Sequence, residues 1–343
     1  MREGQDPLAH RQAEKASRKA AAAAVPATPH TFQAVAEEML GERESGWSNP
    51  RHRQQWEATL RTHAYPQIGA MDVAAITTDA VLLVLRPIWS RTPETASRVR
   101  GRIEAVLDFA RVRDWRQEEN PARWRGHLAE VLPKPQKVKR VEHRPALPWR
   151  DVPAFMQALG KRSGQAAQAL ALVILTASRT GEVRLARWQE IDWGQAVWTA
   201  PAERMKARRR HRVPLSTACL AILQAAKENA RGQTSLIFPS PTRPSVPLSD
   251  MTLSSVIRRM NEEAGGELPL WRDTEGRPVV PHGFRSSFRD WAGETRQDGR
   301  EVAEAALAHT VRDKAEAAYA RSDLLDKRRV LMDAWSQWCT GGS

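Results

Sequence analysis

Tyr319 lies ten residues after His309 in AHTVRDKAEAAYAR, residues 308–321, a stretch that otherwise reads as an alanine-rich amphipathic helix. The chain carries 13 tryptophans and two tyrosines. Tyrosine is therefore not its usual packing aromatic, and a chemical role for the phenol is the first expectation. A tyrosine can attack a phosphodiester, but its unperturbed pKa of about 10 keeps it protonated at neutral pH. Forming phenolate there costs roughly 4 kcal/mol without a base or nearby cations. The pentacoordinate transition state also gathers negative charge on the non-bridging oxygens, which two guanidiniums can clamp bidentately. The departing sugar oxygen needs a proton.

The second half of the chain supplies such groups in order. In TASRTGEV, Arg179 follows an apolar helix and Thr180-Gly181-Glu182 opens the next, so that Glu182 can orient the guanidinium. In MKARRRHRVPL, Lys206 precedes a strand and belongs on a hairpin turn, a mobile place from which to protonate a leaving oxygen. In PHGFRSSFRDW, His282 and Arg285 are three residues apart at a helix start and so face the same way. Taken singly, each has an ordinary reading. A histidine or arginine beside a helix end is more often a cap or a surface ion pair. The run Arg208, Arg209, Arg210 can be plain charged surface, and a tyrosine can be a core residue with its hydroxyl satisfied. The set and its order raise the odds of chemistry.

The elements that must hold these residues are mostly helical. Residues 1–29 read as a frayed helix and flexible joint ending in VPATP. From Thr31, placed to cap a helix, Phe32, Val35, Met39 and Leu40 share one face. SNP at 48–50 opens a second helix with Trp56 and Leu60 inward, and TTDAVLLVL at 77–85 starts a third. In TPETASRVRGRIEAVLDFARVRDW, Thr92 should cap and Pro93 sit at the first position. Ala96, Val99, Ile103, Val106, Leu107 and Ala110 form its stripe, and Arg98, Arg100, Arg102, Arg111 and Arg113 its exposed faces. Tyr65, in AYPQIGAMD, falls in a loop. LPKPQKVKRVEHRPALP, 132–148, has four prolines and a run of cations, and reads as an extended basic linker. Beyond it come an apolar helix over AAQALALVILTAS and strands at 196–201, 211–215 and 235–238. Helices follow from about Ser216, Ser249, His282 and Gly299. The expected organisation is a connector over 1–29, a helical core domain over 30–131, the linker over 132–148 and a catalytic domain over 149–343. The fold class is mainly α, the last domain carrying a small antiparallel sheet.

Lys plus Arg number 53 against 40 for Asp plus Glu, a formal net charge of +13, which suits a polyanion partner and nucleic acid first. The N-terminus lacks the apolar core of a signal peptide, and no apolar run reaches spanning length, so the expected place is the cytoplasm with no membrane partner. Cys219 and Cys339 form neither a CxxC spacing nor a disulfide framework.

The combined motif resembles the tyrosine recombinases, specifically the integrases of prophages and genomic islands. The match runs through Arg179, Glu182, Lys206, His282, Arg285, His309 and Tyr319, with the surrounding text ARWQEIDW, RMKARRRHRVPLS, PHGFRSSFRDWA and LAHTVRDKAEAAYARSDLLDKRR. TPETASRVRGRIEAVLDFA and ENPARWRGHL are similar to that family's core-binding domain. The resemblance implies that two domains clamp duplex DNA at an attachment site and that Tyr319 forms a 3′-phosphotyrosyl link. It implies a homotetramer acting on paired sites, with DNA-bending accessory proteins as further partners. Neither ATP, metal nor another cofactor is implied. Glu182 would orient the first arginine, and His282 and His309 would share proton transfer and oxyanion stabilisation in a division left open. Such integrases often carry a further N-terminal domain, and REGQDPLAHRQAEK resembles the connector that follows it.

Rival readings are a type IB topoisomerase, a DNA-binding remnant of an integrase without cleavage, and a metal-dependent nuclease using His211, His282 and His309. The C-terminal helix with Leu331, Trp335 and Trp338 can either meet a neighbouring protomer or pack on its own core.

Overall fold

The computed structural model describes residues 30–46, 50–134, 143–230, 234–309 and 322–341. The connector expected over 1–29, the residues 135–142 at the centre of the expected linker, and Tyr319 lie outside these. The chain divides into two compact units between Glu142 and His143, each with its own core.

The first unit is helical throughout its described residues. Helix α1, Phe32–Arg43, starts where Thr31 Oγ1 accepts from Ala34 N–H, and buries Phe32, Val35, Ala36, Met39 and Leu40. Helix α2, Pro50–Thr59, runs on through a π turn, Leu60–Ala64, and a last α turn, Tyr65–Ile68. Tyr65 is thus helical rather than in a loop. Its ring meets Phe32 edge-on at 6.3 Å. Helix α3, Thr78–Trp89, is capped by Thr77 and buries Val81, Leu82, Val84, Leu85 and Trp89.

Helix α4, Pro93–Val112, buries the expected stripe. Two expectations about it are corrected. Thr92 occupies the cap position, but its hydroxyl donates back to the Ile88 carbonyl at 3.3 Å and caps nothing. Arg98, Arg111 and Arg113 are exposed as expected, but the other two arginines are not. Arg102 is buried, donating to Gln55 O at 2.6 Å and lying over Trp56 at 5.2 Å. Arg100 pairs with Glu104 at 2.6 Å and donates to Ala122 O at 2.8 Å. Long stems make arginine a packing residue where carbonyls can receive its head.

The second unit wraps helices around α6, Gln165–Leu175, whose residues Ala169, Leu170, Leu172, Val173, Ile174 and Leu175 are buried. Before α6 lies α5, Val152–Gly160, and after it the short α7, Thr180–Arg184. A three-stranded antiparallel sheet follows: β1, Ile191–Asp192; β2, Val197–Ala200; and β3, His211–Pro214. Trp198 pairs with Ile191 on one side and Val213 on the other, and Ala200 with His211. Residues 235–238, expected as a strand, do not join this sheet. Leu236 bridges Arg187, and Ile237 N–H donates to Ala186 O at 3.0 Å. Leu236, Ile237 and Phe238 are all buried, so no polar face alternates with an apolar one.

The remaining helices are α8, Thr217–Glu228, capped by Ser216; α9, Thr252–Ala264; α10, Phe284–Thr295; α11, Arg300–Ala306; and α12, Leu325–Cys339. Helix α9 starts three residues later than expected, because Ser249 Oγ bonds Thr252 Oγ1 at 2.8 Å outside the helix. Helix α12 packs on its own unit: Leu331 and Trp335 are buried, and Trp335 Nε1 donates to Ile174 O at 2.9 Å. Trp338 Nε1 donates to Trp149 O at 3.2 Å. The entry to α12 is clamped to β3, since Arg212 holds both Asp323 oxygens at 2.8 Å and Arg328 donates to the carbonyls of Asp323 and Arg212. Both cysteines, Cys219 and Cys339, are free and buried in this unit. Among the described residues no helix is long and apolar enough to cross a membrane.

Candidate active site

The end of α6 and the start of α7 place the first arginine. The chain turns at Ala177, whose φ of +48° lies in the left-handed region that alanine seldom adopts. Arg179 then precedes α7, and Glu182 reaches back so that Oε2 accepts from Arg179 N–H at 2.9 Å and Oε1 from Arg179 Nη1 at 2.7 Å. Glu182 is buried, so this pair fixes the guanidinium from behind, as the sequence predicts.

The second arginine comes from α10. A 3-10 turn, Pro281–Gly283, precedes it, and the chain passes Gly283 so closely that a Cβ there would sit 2.0 Å from Pro145 O. The segment leading to Pro145 is held in place: Val280 N–H donates to Pro145 O at 3.3 Å, Ser287 Oγ donates to Leu147 O, and Leu147 is buried. Arg285 is buried and donates from Nη1 to Ala177 O and from Nη2 to Leu307 O at 2.6 Å. Arg179 Nη2 in turn lies 3.4 Å from Ala308 O, and Ala308 is a second alanine at φ +48°. Two strained turns thus present carbonyls to two arginines.

His309 follows α11 and meets Arg285 Nη2 through Nε2 at 3.3 Å. His282 is exposed. Its pKa is pushed down to about 4, first by partial desolvation and then by the charges of Arg285, Arg144, Arg179 and His309. Arg285 is pushed down to about 10 by burial and then by Arg179, which leaves it charged at neutral pH but in repulsion with its neighbour. Such a cluster gains from an anion between the guanidiniums. Lys206 is exposed on the loop between β2 and β3, outside this hydrogen-bonded group.

Of the seven predicted residues, Arg179, Glu182, Arg285 and His309 are joined through hydrogen bonds to one another and to shared backbone turns, His282 lies within electrostatic reach of Arg285, Arg179 and His309, Lys206 is exposed on its loop, and Tyr319 lies outside the described residues. Two participants escaped the sequence reading. Glu304, in α11, has Oε2 2.6 Å from His309 Nδ1. His211, named among the sequence readings only as a metal ligand, opens β3 within the electrostatic reach of Glu182 and Arg179. No group of three His, Cys, Asp or Glu side chains that could hold a metal forms among the described residues.

This fold of a helical unit followed by a helical unit with a three-stranded sheet is shared with solved integrase structures. The lambda integrase tetramer bound to a Holliday junction has a TM-score of 0.64 at 16% identity, covering 92% of this chain and 90% of that one. The Tn1549 transposon integrase in complex with circular intermediate DNA has a TM-score of 0.59 at 13% identity, covering 85% and 99%. Residues 32–127 match the phage integrase central domain and residues 146–324 the phage integrase family. The integrase of Enterobacteria phage P4 is 29% identical over 325 residues, 90% of this chain and 69% of its own length. Prophage integrase IntZ of Escherichia coli strain K12 is 31% identical over 307 residues, 89% and 70%. The chain belongs to the phage integrase family and is a tyrosine site-specific recombinase.

Proposed function

We propose that this recombinase acts on double-stranded DNA attachment sites, integrating or excising a mobile element, with Tyr319 as the nucleophile. The observation that carries the reading is the convergence of Arg179 and Arg285, one backed by Glu182 and the other by backbone carbonyls, beside His282 and His309. Two fixed guanidiniums suit the two non-bridging oxygens of a phosphodiester.

Of the two tyrosines, Tyr65 is the wrong one for attack. Its pKa is pushed up to about 12, by burial first and then by Glu37 and Glu57, which makes its phenolate harder to form than in water. That leaves Tyr319, at the family's motif position. Its oxygen bonds to phosphorus while its proton passes to one of the two histidines, the P–O5′ bond breaks, and the 5′ oxygen takes a proton from Lys206. The ester to tyrosine retains the bond energy, so religation needs no ATP, and the arginines supply the charge stabilisation that a metal gives elsewhere. A homotetramer on paired sites would exchange strands between two duplexes in the cytoplasm, with DNA-bending proteins assisting.

The test is a nicked suicide duplex taken from DNA beside the integrase's own gene, incubated with protein in EDTA and run on a denaturing gel. The parent and Tyr65→Phe should give a slow-migrating protein–DNA adduct, and Tyr319→Phe should give none while still shifting DNA on a native gel. An adduct from Tyr319→Phe would remove the assignment.

A further inference from the structure

Glu304 divides its carboxylate between two partners. Oε1 accepts from Arg289 Nε at 2.7 Å, and Oε2 faces His309 Nδ1 at 2.6 Å. The Glu304 carbonyl also accepts from His309 N–H at 3.0 Å, so the histidine is tied to α11 through both backbone and ring. The carboxyl is held below its usual range: burial alone would raise it, but the hydrogen bonds from His309 and Arg289 prevail. An ionised carboxylate only accepts, which puts a proton on Nδ1. The other ring nitrogen, Nε2, lies 3.3 Å from an Arg285 nitrogen that only donates, which requires a lone pair there. Both sides of the ring specify one tautomer.

His282 lacks this support. The groups acting on it are Arg285, Arg144, Arg179 and His309, and none is a carboxylate. On His309, by contrast, a carboxylate oxygen lies 2.6 Å from Nδ1.

We propose that Glu304 is a positioning residue for strand cleavage: it holds His309 with Nδ1 protonated and the Nε2 lone pair directed at Arg285, and stabilises the imidazolium formed when Nε2 exchanges that contact for a proton. The inference rests on His309 belonging to the active site as read above. In cleavage the proton of the attacking phenol passes to Nε2 as the tyrosyl O–P bond forms. The P–O5′ bond breaks with its electron pair on the 5′ oxygen, which is protonated by Lys206. Religation returns each proton to its source. His309 thereby takes the base role.

Histidine-labelled protein would be followed by nitrogen-15 NMR, with the His309 signal assigned by its loss in His309→Ala. The parent should show the Nδ1–H tautomer, Glu304→Asp should keep it, and Glu304→Gln, whose amide can donate to Nδ1, should move the population toward Nε2–H. On the suicide duplex, Glu304→Gln should lower the cleavage rate by about 10- to 100-fold with DNA affinity unchanged, Glu304→Asp should recover part of it, and the Gln change should add nothing in a His309→Ala background. Parental cleavage by His309→Ala would overturn the site reading itself. A slow His309→Ala beside a parental Glu304→Gln, an unchanged tautomer, or additive losses in the double variant would overturn the role of Glu304 and leave the site standing.

Discussion

At the scale of single residues, His211 has an unusual position for an ionisable ring. It lies at the first residue of β3, next to the Arg212 that clamps Asp323, and its pKa is pushed down to about 4. Burial is the largest cause and the charge of Arg328 the next, while Glu182 only partly opposes them. Above pH 6.5 the ring is neutral in both folded and unfolded chains and costs nothing. As pH falls from 6.5 toward 4, the unfolded chain binds a proton that the folded one refuses, and stability is lost. The loss attributable to this group is on the order of 3 kcal/mol. Urea titrations of the parent and His211→Gln should therefore show the parent's stability falling relative to the variant across that window. A gap independent of pH would mean the ring ionises freely in the folded state. His282 is lowered for a related reason, crowding by cations, so a bound phosphate, which offsets those cations, should make it easier to protonate.

At the scale of elements, the site depends on how closely the Pro145–Ala146 backbone passes the turn before α10. A Cβ at Gly283 would lie 2.0 Å from Pro145 O and 2.9 Å from Ala146 Cα, and backbone cannot swing aside as a side chain can. Gly283→Ala should cost about 1–3 kcal/mol of stability, and should shift Arg285 enough to suppress the phosphotyrosyl adduct. Retention of both parental Tm and adduct yield would show that the contact yields without consequence. The periodic elements around this turn are legible in the sequence: Thr31, Thr77 and Ser216 cap as their types suggest, and the α4 stripe is buried residue for residue. The buried arginines are not legible, because Arg102 and Arg116 look like surface charge until the carbonyls of Gln55, Val73 and Ile76 are brought to them by the fold. Strand β1, two residues long, has no period to read. Arg179 with Glu182, and His282 with Arg285, are local pairs and could be found by spacing. Glu304 is five residues from His309, off the helical three-and-four spacing, and meets it only because the chain reverses at Ala308.

At the scale of the whole molecule, the net charge of +13 bears on affinity. Each phosphate neutralised by the protein releases counterions, so binding to duplex DNA should fall by roughly a thousandfold or more between about 50 and 200 mM salt if six or more phosphates are contacted. Filter binding or anisotropy across that range checks it, and a change of less than about tenfold would argue against a backbone-tracking mode. The charge is spread over two units with separate cores, and these need not lose their structure together. The chain's two thiols distinguish the units chemically. Cys219 and Cys339 both belong to the second, buried, the first pushed up to about 11 by its apolar surroundings and the other well above its usual range. A thiol in that condition does not react with an alkylating reagent until the helices around it part. The protein thus carries its own clock for the opening of its catalytic half: the rate of alkylation counts those openings and ignores every event confined to the first unit.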